Sequence, residues 1–144
     1  MSKLVIAIQG ISNTGKTKTI IQFANELVEF YKISPNPIER IGNEISCVFE
    51  IQGCKIGIIS QGDPGTGLEE KLNELVKDKC KIIVCATRTY GETTRAVAQA
   101  CSEYEKVWLR KTAIWSEYNE KKLRDIANTN CAKLVQTTIK DYMS

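Results

Sequence analysis

Gly10-Ile11-Ser12-Asn13-Thr14-Gly15-Lys16-Thr17 is the stretch from which the rest of this chain is read. It meets every fixed position of the pattern G-x-x-x-x-G-K-[ST]. The apolar run Leu4-Val5-Ile6-Ala7-Ile8 leads into it, and an amphipathic stretch beginning near Lys16 follows. The setting is therefore strand, loop, helix. Glycine permits positive φ and close backbone approach to a ligand. Successive N–H groups in such a loop form a nest for phosphate oxygens, reinforced by the positive end of the following helix. Lys16 is expected to reach the β- and γ-phosphates, and the Thr17 hydroxyl to bind Mg²⁺. Gly10, Asn13, Thr14, Gly15, Lys16, Thr17 and Lys18 make up the expected contact set. The plainer alternative is a glycine-rich turn between a strand and a helix.

The chain has 144 residues, enough for one well-buried core, and residues 1–144 are expected to form a single nucleotide-binding domain. Hydrophobic residues make up 42% and charged residues 26%, the balance of a soluble globular protein. The net charge of +3 is too small to imply a nucleic-acid partner, and no basic run marks a nucleic-acid tail. Leu4–Ile8 is too short for a signal-peptide core, and no apolar stretch approaches a membrane span. The six cysteines include no C-x-x-C pair, which speaks against zinc and for small apolar residues in a reduced, cytoplasmic protein. Histidine is absent, so Ser-His and Cys-His catalysis and histidine-ligated metals are excluded. A carboxylate base and an oxygen-ligated Mg²⁺ are the remaining expectations.

Along the chain, Ile20, Ile21, Ala24, Leu27, Val28 and Tyr31 recur at helical spacing until Ser34-Pro35-Asn36-Pro37 stops them. Residues 33–44 read as an exposed loop. Strand-like runs at Ile45–Ile51 and Lys55–Ser60, separated by Gln52-Gly53-Cys54, predict an antiparallel hairpin. A glycine-rich loop at 61–67 precedes a helix marked by Leu68, Leu72, Leu75 and Val76, and 81–86 has the continuous apolar character of a strand buried on both faces. A third helix carries Ala96, Val97, Ala100, Cys101 and Tyr104, with Thr89 and Glu92 at capping-box spacing. Lys106–Thr112 reads as the last strand. From Ser116 onward Leu123, Ile126, Ala127, Cys131, Leu134, Val135, Ile139 and Tyr142 keep helical period. The sum is a three-layer α/β fold of about five mostly parallel strands, one of them antiparallel, with helices on both faces and ligand at the carboxyl ends of the strands.

The loop, the hairpin after the first helix and the Asp63-Pro64-Gly65 loop together resemble the P-loop NTPase superfamily, with Gly10–Thr17 as its Walker A sequence. The order of elements is similar to that of small GTPases and compact P-loop kinases over roughly residues 3–112. The resemblance implies a nucleoside triphosphate ligand with Mg²⁺. It also implies a Walker-B carboxylate near the end of the strand 55–60, and Asp63 is the candidate for the metal or the attacking water. An ordinary Asp-Pro turn is the alternative. Glu50 is a weaker candidate. The Asn-Lys-x-Asp guanine signature is missing, since Thr87-Arg88-Thr89-Tyr90 stands there, and residues 60–67 lack the GTPase Asp-x-x-Gly spacing. ATP is therefore favoured over GTP.

Lys16 and Asp63 are the expected catalytic pair. Arg88, following a buried strand on the ligand side, would stack on the base or neutralise phosphoryl charge, with Arg95 and Tyr90 nearby. Three functions are open: Mg²⁺-dependent ATP hydrolysis or phosphoryl transfer, a small nucleotide or metabolite kinase, and a nucleotide-gated regulator with little turnover. In the regulator reading, loops 33–44 and 61–67 would contact a protein partner. For a kinase, the basic residues at 110–124 would supply a lid; otherwise they form the polar face of the last helix.

Overall fold

Successive residues of the first apolar run face opposite ways, and both ways are buried. The structure, a computed structural model, describes residues 2–10, 15–62, 65, 67–111 and 114–144. In strand β1 (Leu4–Gln9), Leu4, Ile6 and Ile8 enter one core while Val5 and Ala7 enter another. Strand β5 (Ile82–Thr87) divides in the same way, with Ile82, Val84 and Ala86 on one side and Ile83 and Cys85 on the other. Each fully buried Ile, Leu or Val contributes about 1.5–3 kcal/mol, so these two strands anchor the molecule.

The elements run β1, α1 (Lys16–Phe30), β2 (Glu39–Ile41), β3 (Glu44–Ile51), β4 (Cys54–Ile59), α2 (Leu68–Lys77), β5, α3 (Glu92–Ala100), β6 (Glu105–Arg110) and α4 (Glu120–Met143). The six strands lie in the order β2-β3-β4-β5-β1-β6. Only β3 runs against the rest, pairing antiparallel with both β2 and β4. Gln52 and Gly53, both at positive φ, close the β3–β4 hairpin by the two-residue turn suited to strand twist. Helices α1 and α4 cover one face through Ile20, Phe23, Ala24, Val135 and Ile139, and α2 and α3 cover the other through Leu68, Leu72, Leu75, Ala96 and Val97.

Four expectations need correction. The sheet has six strands rather than about five, because β2 lies inside the segment 33–44 that reads as a loop. All three of its residues are exposed, so no apolar pattern marks it. The Thr89–Glu92 capping box does not form. Gly91 occupies the N-cap of α3 without a side-chain cap, while the Thr93 hydroxyl accepts from Arg88 N at 2.9 Å and the Thr94 hydroxyl donates to Arg88 O at 3.1 Å. The last helix starts at Glu120, not Ser116, and Asn119 caps it by accepting from Lys122 N. Its buried face is Asn128, Ala132, Val135 and Ile139, leaving Ile126 and Leu134 in solvent. Polar Asn128 sits inward, so the apolar count points to a face rotated from the true one. Among the described residues, no helix is long and apolar enough to cross a membrane.

Adjacent strands β1 and β5 send their chains to opposite faces, β1 into α1 and β5 toward α3. A crevice opens where such connections diverge. Its floor depends on Gly62, just past β4, where an added Cβ would lie 2.6 Å from the Ala86 carbonyl carbon, carbonyl oxygen and Cβ. Two of those atoms are backbone and cannot rotate away. Gly62→Ala should therefore destabilise the protein by about 1–3 kcal/mol. The check is a lower urea midpoint at unchanged m-value; an unchanged midpoint would contradict this packing.

Candidate functional site

Helix α1 opens on Gly15, which holds the left-handed conformation (φ 87°, ψ 19°) that an L side chain rarely adopts. The first turn that follows carries Lys16 and Lys18 and no acidic residue, whereas α2, α3 and α4 each carry glutamate in the first turn. Cations at the positive end of a helix are disfavoured by its dipole unless an anion joins them. Lys16 is only 7% exposed. Its Nζ donates to Gly10 O at 2.6 Å and Thr87 O at 3.1 Å, bridging the ends of β1 and β5. Gly10 N in turn donates to Thr87 O.

Thr17 meets a residue that sequence reasoning missed. Its hydroxyl lies 3.3 and 3.4 Å from the two carboxylate oxygens of Glu44, the first residue of β3. Ser60, immediately after β4, donates its hydroxyl to the same carboxylate, and the Ser60 oxygen accepts from Ile45 N at 2.8 Å. Thr17, Glu44 and Ser60 thus gather three oxygen-bearing side chains from a helix start and two strand ends. In sequence, Glu44 closes a segment with no apolar period and Ser60 ends a hydrophobic run, so neither shows a motif. Glu50, the weaker carboxylate candidate, is exposed on β3 opposite Lys55 and does not join them.

Beyond β6, Lys111 and Asn128 form the other wall. Lys111 N extends the β1–β6 ladder by donating to Gln9 O at 2.6 Å. The Lys111 side chain passes beside Gly15, its Cε 3.1 Å from where a Cβ on Gly15 would stand. Asn128 comes closer still, with Oδ1 at 2.5 Å from that point, and accepts weakly from the Thr19 hydroxyl at 3.4 Å. Lys111 is 8% exposed, and burial pushes its ammonium below the usual lysine range. The neighbouring Cys131 thiol is itself pushed up by burial and stays neutral.

These walls enclose a cleft of about 820 Å³ that also takes in Gly62, Ile114 and the first turns of α4. Within α4 the cleft charges cancel locally, Arg124 pairing with Glu120 at 3.1 Å and Lys121 with Asp125 at 3.3 Å. Lys121 and Arg124 are therefore ion-paired along the helix, while Lys111 lines the cleft. Among the described residues, the lysines that line the cleft outside α4 are Lys16, Lys18 and Lys111, and the carboxylate that lines it there is Glu44.

Of the expected contact set, Gly15, Lys16, Thr17 and Lys18 line this cleft, and Gly10 O holds Lys16. Arg88 follows β5 but is not among the residues that line the cleft, and Tyr90 and Arg95 are exposed. Asn13, Thr14 and Asp63 lie outside the described residues. Among the described residues, two buried polar atoms, Gln61 Oε1 and Thr87 Oγ1, have no hydrogen-bond partner. The cysteines are unpaired, five of them buried, and burial raises the thiols of Cys80 and Cys101 to about 11 and Cys47 to about 12, so they are chemically quiet. Comparison with known proteins finds no matching family model, no matching curated protein and no matching solved structure.

Proposed function

We propose that this chain binds a nucleoside triphosphate, ATP in preference to GTP, on the Gly10–Thr17 loop, and turns it over by Mg²⁺-dependent hydrolysis or phosphoryl transfer. The observation that carries this reading is the start of α1. A left-handed Gly15 opens a helix whose first turn is cationic and acid-free, at the mouth of the crevice between β1 and β5. Backbone N–H groups and the helix dipole at that point favour an anion. The missing Asn-Lys-x-Asp sequence is the ground for adenine over guanine.

The donor set fits a hard divalent ion. Thr17, Glu44 and Ser60 offer oxygen only. Among the described residues no cluster of three or more His, Cys, Asp or Glu side chains is able to hold a metal by itself. That is the pattern expected for Mg²⁺, which is held by few carboxylates together with phosphate oxygens and water. When bound, the ion neutralises charge on the phosphates. Lys16 shifts from its two carbonyl partners toward the β- and γ-phosphate oxygens. Glu44 holds the Thr17 hydroxyl in place, and Asp63 remains the candidate for orienting the nucleophile. In hydrolysis a water oxygen bonds to the γ-phosphorus, the bond from that phosphorus to the β–γ bridging oxygen breaks, and ADP departs. With an acceptor hydroxyl in place of water, the same site is a small nucleotide or metabolite kinase.

A second reading, a nucleotide-gated regulator, is favoured by one contact. Glu44 ties the segment 33–44 to Thr17, so a ligand drawing on Thr17 also acts on that segment. In that case Mg-ATP protects residues 33–44 from protease more than Mg-ADP does; identical digestion with ATP, ADP and no nucleotide would count against it.

Lys16→Ala should lower ATP turnover at least about a hundredfold while leaving the circular dichroism spectrum unchanged. Wild-type turnover in that variant would remove the assignment. Glu44→Gln should weaken Mn²⁺ binding to the ATP complex at least about tenfold, read by electron paramagnetic resonance. ATP affinity in EDTA should stay as it was. If Mn²⁺ affinity is unaltered, Glu44 does not serve the metal.

A further inference from the structure

We infer that Lys111 is a second phosphate-binding lysine, brought by the last strand of the sheet against the Gly15 end of the loop, where it binds the phosphate chain of the nucleotide. The inference rests on the phosphate reading of the loop and adds to it a residue outside the motif.

Lys111 as a residue is only 8% exposed, and an ammonium carried on so buried a side chain is costly unless an anion or several acceptors compensate it. Among the described residues Lys111 Nζ has no hydrogen-bond or ion-pair partner, and the group that acts on it electrostatically is the Cys131 thiol. The carboxylates of the cleft are engaged elsewhere, Glu44 by Thr17 and Ser60, Glu120 by Arg124 and Asp125 by Lys121. The side chain is not there by accident of a mobile loop. Its backbone N–H is locked to Gln9 O, and its Cε stands 3.1 Å from where a Cβ on Gly15 would be. A lysine free to move would extend its ammonium into water, as long cationic side chains ordinarily do. Here the fold instead holds the charge against the helix start that is most attractive to an anion.

Two consequences separate this role from ordinary packing. Removing the charge should relieve the ligand-free protein, and it should weaken any ligand whose phosphates the charge contacts. Lys111→Met keeps the aliphatic stem and removes the ammonium. Lys111→Arg keeps the charge. Calorimetric titration with ATP and with inorganic tripolyphosphate, which lacks a base, would be carried out on the wild type, on both Lys111 variants and on Lys16→Ala. Lys111→Met is expected to bind both ligands at least about tenfold more weakly, as loss of a charged hydrogen bond does. Lys111→Arg should restore most of the tripolyphosphate affinity. Without ligand, the thermal midpoint of Lys111→Met should equal or exceed that of the wild type.

The inference is overturned if Lys111→Met binds tripolyphosphate within twofold of wild type while Lys16→Ala does not bind it. That result would leave the loop reading standing. It is also overturned if Lys111→Met loses stability without ligand and Lys111→Arg binds no better than it does, which would make Lys111 a packing residue. Failure of the wild type to bind either compound overturns the loop reading and this inference together.

Discussion

The Lys16 ammonium, held between the carbonyls of Gly10 and Thr87, is the contact on which the arrangement of this site turns. Those carbonyls sit at the ends of β1 and β5, neighbouring parallel strands in register from Leu4–Ile82 to Gln9–Thr87. Both strands are buried throughout, so their ends cannot drift. A lysine anchored there is fixed by the sheet rather than by its own loop, and α1 is fixed with it. The site is thus built rigidly, on two strand ends that the core holds in place.

The other walls come to that point from far along the chain. Glu44 and Ser60 arrive on the β3 and β4 ends of a hairpin edge, Lys111 on the extension of β6, and Asn128 from within α4. Each is set by a backbone ladder or a helix contact, so the entropy of ordering it is met by folding and not by ligand binding. This division also explains the charge balance. Glu120 and Asp125 of α4 are matched by helix neighbours, and among the described residues Lys111 near Gly15 has no carboxylate partner.

What was legible in the sequence was local. The loop motif, the φ > 0 glycine at its end, the Gln52-Gly53 turn and the doubly buried character of residues 82–87 are all written in neighbouring residues. The helices α1, α2 and α3 show their apolar faces at regular spacing. Strand β2 was not legible because its three residues are exposed and its pairing with β3 is entirely backbone. The face of α4 was misread because Asn128 is buried by its contact with Thr19 and its approach to Gly15, a tertiary circumstance with no local signature. The place of Glu44 beside Thr17 and of Lys111 beside Gly15 was invisible for the same reason, Lys111 being read only with the basic residues 110–124. A glutamate after Gly-Asn and a lysine after a strand look like solvated charges until the sheet brings them within reach of Thr17 and Gly15.

The central claim is that phosphate oxygens sit on the backbone at the start of α1. The most direct measurement is a ¹⁵N–¹H correlation spectrum recorded as Mg-ATP is added. The account predicts large downfield shifts confined to the amides of Gly15, Lys16, Thr17 and Lys18 and their neighbours in the cleft, with tripolyphosphate reproducing those of the loop. Shifts absent there, or confined to the opposite face over α2 and α3, would contradict it.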